Sequence, residues 1–181
     1  MKASNLTGMP VISVADGVKA GNVADLILSA TSPQVTALVL KSQREQTILP
    51  FDSIRQIGPD AIMIDRLSLV RDEIATDGGD EVRRFTAMVG KEAAGDDGTY
   101  LGDLKDLDID TQSGRVETMA LHRGGMMGIG GEEITVPGSN LHAFGTKLLT
   151  VAPPAGDPGA DLLHDREGDR PSTTGQSVRA M

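Results

Sequence analysis

At 181 residues the chain has room for one large domain or two small ones, and with aromatics at only 2% any core must be built from Val, Ile, Leu and Met. The absence of cysteine excludes disulfides, thiolate nucleophiles and cysteine metal sites; no apolar run approaches the roughly 18 residues that span a bilayer, which reads as a cytoplasmic protein with no membrane span. The net charge of −9 is uneven, with six acids and six bases in residues 1–66 but ten acids and five bases in 88–152, a balance that repels phosphate backbones and disfavours generic nucleic-acid binding.

In chain order, residues 6–15 alternate apolar and small side chains up to Asp16-Gly17, a dipeptide that accepts positive φ, so a first strand and its turn are expected. Val23 to Leu28 is apolar on both faces, as in a strand with neighbours on either side. Ser29-Ala30-Thr31-Ser32-Pro33 breaks it. Val35 to Lys41 and Thr47 to Phe51 read as the two strands of a hairpin. Asp52 to Gly58 reads as a short turn with one helical loop, and Ala61 to Asp65 as a closing strand. Short strands at this spacing indicate a small closed or nearly closed all-β unit. Residues 66–87 mix charges with isolated apolar residues and read as a connector that does some packing of its own, since structureless loops of about 20 residues are uncommon inside compact proteins.

The chain then repeats itself. Gly90 stands where Gly8 stood, Asp97-Gly98 answers Asp16-Gly17, and Gly102 and Asp106 answer Gly21 and Asp25. Gly114 to Leu121 corresponds to Gln34 to Leu40, Ile134 to Pro137 to Thr47 to Pro50, and Phe144 to Val151 to Ile57 to Ile64. Between the second hairpin strands lies an inserted Gly124-Gly125-Met126-Met127-Gly128-Ile129-Gly130-Gly131. Beyond Ala152 the composition turns to Pro, Gly, Asp, Ser and Thr, too poor in apolar residues to offset its ordering entropy. The expected organisation is a first barrel over 1–66, a connector over 67–87, a second barrel over 88–152 and a disordered tail over 153–181. A repeat of this size is marginal alone, so the two copies are expected to pack as a pseudo-twofold pair and to unfold together.

Gly8, the run from Gly17 to Asp25, the central strand ending at Leu40, Ile48-Leu49-Pro50 and the Ile57-Gly58 turn, recurring over 88–151, together resemble the PRC-barrel family. That family includes the cytoplasmic domain of the photosynthetic reaction centre H subunit and the C-terminal domain of a ribosome maturation factor. The resemblance implies an all-β fold of two small PRC-type β-barrels in tandem that bind other proteins, with no catalytic residues to carry over. The reaction-centre subunit's membrane helix and the ribosome factor's paired-aromatic entry motif have no counterpart here; Tyr100 is a single aromatic in a different register.

The residues themselves point away from catalysis. Asp106 to Gly114 superficially resembles a calcium loop, but a register starting at Asp108 puts Gly114 one place late and Met119 where a bidentate glutamate belongs. The Gly-rich insertion lacks a Gly-Lys-Ser/Thr ending and is followed by Glu132 and Glu133, so it reads as a hairpin tip and not a phosphate loop. His122, His142 and His164 have no partner at metal-ligand spacing, and Ser139 near His142 carries no nucleophile-elbow pattern. Asp25 and Asp106 are expected to bond nearby backbone. No cofactor and no metal is expected. Met126, Met127 and Ile129, apolar residues on a loop, are the candidate contact for a protein partner, of which a second copy of the chain is one candidate. The expectation is therefore a non-enzymatic adaptor module. The alternative is an accessory factor in RNA processing or ribosome assembly.

Overall fold

The computed structural model describes residues 1–42, 45–72, 83–124 and 131–152. The loop carrying Met126, Met127 and Ile129 and the segment 153–181 lie outside the described residues. In the first copy, helix α1 (Ala3–Leu6) precedes β1 (Pro10–Ser13), β2 (Val18–Leu28), β3 (Val35–Ser42) and β4 (Glu45–Pro50), then a 3-10 turn (Phe51–Ser53), β5 (Ile54–Ile57) and β6 (Ile62–Ile64). A second 3-10 turn (Leu67–Leu69), β7 (Arg83–Arg84) and α2 (Phe85–Met88) lead into β8 (Glu92–Gly95), β9 (Tyr100–Ile109), β10 (Val116–Arg123) and β11 (Glu132–Pro137). A third 3-10 turn (Gly138–Asn140), β12 (Leu141–Phe144) and β13 (Leu149–Val151) complete the second copy.

The two sheets have one topology. Strands run β4-β3-β2-β1-β6-β5 in the first and β11-β10-β9-β8-β13-β12 in the second. Within each, the only parallel pairing among the described strands is β1 with β6 or β8 with β13. The outermost strands of each path are consecutive in the chain and joined by a 3-10 turn, so each sheet curls back on itself as a small barrel. The fold is all-β with two such barrels related by duplication. Turn chemistry recurs too: Gly17 and Gly98 have φ of 64° and 81°, where a side chain would be strained.

Two expectations change. Ile54–Ile57 is a strand paired with β6, and only Phe51–Ser53 is helical; a register shift between Ile54 and Gln56 erases the period-2 signal from so short a strand. At the N-terminus, the strand read over 6–15 is confined to Pro10–Ser13, with α1 ahead of it. Four residues are about one helical turn, too few to show a 3.6-residue period.

Inward-facing Leu26, Leu38, Leu40, Leu49, Ile62 and Ile64 of the first barrel and Leu104, Leu107, Ile109, Met119, Phe144 and Leu149 of the second belong to one continuous core. Ile27, Ala37, Val39 and Ile48 form a second buried cluster; they alternate with the core residues of β2, β3 and β4, which accounts for the apolar character of both faces there. The barrels meet at their equivalent β2–β3 and β9–β10 turns. The Val35 amide donates to the Gly114 carbonyl and the Val116 amide to the Pro33 carbonyl, each at 2.8 Å, around a bridge between Gln34 and Arg115. Gly114 has φ 74°, and a Cβ there would lie 2.8 Å from the Val35 carbonyl oxygen and 2.9 Å from the Phe51 ring. The close approach of the turns depends on that missing side chain.

Candidate interaction site

Each copy begins with a short arm, and each arm docks on the other copy's barrel. β1 leaves the edge of β2 at Asn22, and β7 takes up the same edge at Ile27 and Leu28. In the gap the strand bulges: Ala24 is the extra residue opposite β3, as Lys105 is in β9 opposite β10. A bulge leaves backbone groups unpaired and re-aims the next side chain. That side chain is Asp25 in β2 and Asp106 in β9, 4% and 8% exposed.

Both carboxylates do the same work. Asp25 Oδ1 accepts the Leu26 amide at 2.8 Å and the Thr86 amide at 3.1 Å, and its Oδ2 accepts the Thr86 hydroxyl. Asp106 Oδ1 accepts the Leu107 amide at 2.8 Å and the Ser4 amide at 3.2 Å, while Oδ2 accepts the Ser4 hydroxyl at 2.5 Å. Buried carboxylates need such donors. The expected bond to nearby backbone is present, but the donors from the opposite repeat were not legible: Ser4 and Thr86 hold matching places in α1 and α2, and a lone hydroxyl amid unrelated neighbours has no sequence signature. These groups join the barrels.

An open surface lies at one end of the first barrel. Val14, Ala15 and Leu69 with Arg55, Asp65 and Arg66 line a hollow of about 330 Å³. Next to it Asp16 accepts the Ser13 hydroxyl at 2.6 Å and the Leu67 amide at 2.8 Å and so ties the second 3-10 turn to the β1–β2 turn. These bonds, Ser13 first and then the Leu67 amide, hold the Asp16 pKa below its ordinary value, with help from the Arg66 charge. Arg55 pairs with Asp65 at 3.3 Å and the Arg66 charge acts on the neighbouring Asp16, so two bases stand against two acids there, while Val14 is 48% exposed. The duplicated chain supplies its own comparison. In the second barrel the residue following β8 is Asp96, not a valine, and His142, which stands where Arg55 does, contacts that Asp96 at 3.1 Å. Asp97, in the place of Asp16, accepts the Thr99 amide and hydroxyl at 2.9 and 2.7 Å; these bonds lower its pKa.

A second cleft, of about 350 Å³, lies beside the turns that join the barrels, lined by Pro33, Asp110, Ser113, Arg115, Glu117 and Ser139 among others. Asp110 there is committed to its own turn, accepting the Ser113 amide at 2.7 Å and hydroxyl at 2.6 Å, and its pKa is lowered chiefly by the Ser113 hydroxyl. The carboxylates of the calcium-like stretch thus diverge. Asp106 faces Ser4, Asp108 is reached by the Thr118 hydroxyl at 3.5 Å, and Asp110 caps its turn. Among the described residues no three His, Cys, Asp or Glu side chains come together as a metal site. His122 lies in β10 opposite Glu133 of β11, away from His142; His164 is outside the described residues. Among the described helices none is long and apolar enough to cross a membrane.

Curled six-strand paths, doubled and joined back to back, define a tandem small-barrel protein. The PRC-barrel domain family model matches residues 1–71 and again 80–157, and the chain belongs to the PRC-barrel family. A search of curated proteins finds no match. PRC-barrel domains are generally interaction modules and generally non-catalytic.

Proposed function

We propose that this chain is a non-enzymatic adaptor that holds a protein partner by an apolar side chain seated in the hollow beside Val14 and Leu69. The observation that carries the reading is the divergence of the two copies at this one place. The first barrel presents the exposed Val14 beside paired charges, the arrangement of an apolar interface centre with a polar border, where the second presents Asp96. Met126, Met127 and Ile129 are proposed as a second contact, on the ground that apolar residues of a loop gain from being covered.

Affinity capture with the tagged full chain tests both contacts. Proteins retained by the parent and lost with Val14→Asp support the hollow, and loss with Met126, Met127 and Ile129 changed together to Ser supports the loop. Retention of every captured protein by both variants refutes the reading. The alternative, an accessory factor in RNA processing or ribosome assembly, has the acid excess of residues 88–152 against it. It predicts co-sedimentation with ribosomal particles at low salt.

A further inference from the structure

We infer that the seam between the barrels is a recognition surface for a second copy of this chain, and that the protein can form a dimer in which each first barrel pairs with the second barrel of the other copy. The argument starts from reciprocity. What holds barrel to barrel is a pair of equivalent arm-to-strand contacts, Thr86 on Asp25 with β7 along β2, and Ser4 on Asp106 with Lys2 bridged to Asp108. The meeting turns add matching bonds at Val35 and Val116. Every one of these contacts joins a residue before position 72 to one after position 82. None of them depends on the two barrels being on the same polypeptide; an exchanged pair reproduces all of them.

Only the connector decides between the closed and exchanged forms. Arg71 is bridged to Ile48 on the far side of β4, and Arg83 pairs with Leu28 of β2. Between them lie four strand spacings, about 19 Å along the sheet at roughly 4.8 Å each. The residues from 72 to 82 give twelve Cα steps, about 43 Å at full extension, ample for the closed form. A tether of this kind supplies an effective concentration on the order of millimolar, so the closed monomer dominates at ordinary concentrations.

Deleting residues 74–81 leaves four steps, about 14 Å at most, short of the path around the sheet, which disfavours the closed form. The full chain carrying this deletion is expected to run as a dimer in size-exclusion chromatography with light scattering, and adding Asp25→Ala should shift it toward smaller species, because the exchanged dimer uses that carboxylate. A folded monomer overturns the inference, as does a dimer indifferent to Asp25→Ala. If the shortened chain does not fold, the unaltered chain decides. Unfolded in denaturant and refolded at increasing concentration toward millimolar, it should yield a growing dimer fraction that persists after dilution. Monomer alone at every concentration overturns the inference. Val14→Asp should leave both results unchanged, which separates this surface from the hollow.

Discussion

Replacing Asp25 with Ala removes the acceptor for three donors at once: the Leu26 amide, the Thr86 amide and the Thr86 hydroxyl. Hydrogen bonds to a charged group contribute about 1.5–3 kcal/mol each when measured one at a time, but Thr86 is at the surface and water can take up part of what it loses. We expect a total of about 3 kcal/mol. Against a typical total of about 5–15 kcal/mol, that is a large fraction, and at about 2–4 °C per kcal/mol for a chain of this size it lowers the Tm by about 6–12 °C. The chain supplies its own reporter of coupling. Tyr100 is the only tyrosine and there is no tryptophan, so intrinsic fluorescence follows β9 of the second barrel while the substitution sits in β2 of the first. Far-UV circular dichroism and Tyr100 fluorescence should shift together as one transition. Thr86→Val, which keeps the amide bond and loses the hydroxyl, should cost about 1 kcal/mol. A Tyr100 transition that stays in place while the dichroism moves, or a loss below about 1 kcal/mol for Asp25→Ala, would refute the view that these arms weld the barrels together.

Other outcomes follow from the same contacts. Gly114→Ala combines a left-handed φ with a Cβ pressed on Val35 and Phe51 and should cost about 2–4 kcal/mol by denaturant titration, whereas Gly8→Ala, at φ 87° with open space around it, should cost about 1–2 kcal/mol; equal losses would show that the seam is not tight. Asp16, Asp97 and Asp110 all have lowered pKa values, each mainly through hydrogen bonds to its carboxylate. The native state therefore binds fewer protons than the unfolded chain in acid, so their contribution is complete above the unfolded value of about 3.9 and is lost as pH falls through the lower native values. The Tm should change little on this account above about pH 5 and fall below about pH 4; a Tm that rises on acidification through that range would contradict the assignment.

Sequence alone determined the duplication, the tandem β-units and the turns, because those features are local. Asp16-Gly17 and Asp97-Gly98 announce positive φ, and Val35 to Leu40 announces a strand, through chemistry contained within a few neighbouring residues. Tertiary structure decided how the copies are joined. Ser4 and Thr86 are one hydroxyl each in a four-residue helix, with nothing nearby to mark them; their role exists only because a bulge at Ala24 or Lys105 aims a buried carboxylate at the opposite repeat. Gly114 reads as one more turn glycine until Phe51 is found against it. The hollow was equally hidden, since Val14, Arg55 and Leu69 are far apart in the chain, and only the parallel pairing of β1 with β6, held by Asp16 reaching to Leu67, brings them to one end of the barrel. Long-range pairing carries no local periodicity, and in this protein long-range pairing makes both the seam and the surface beside it.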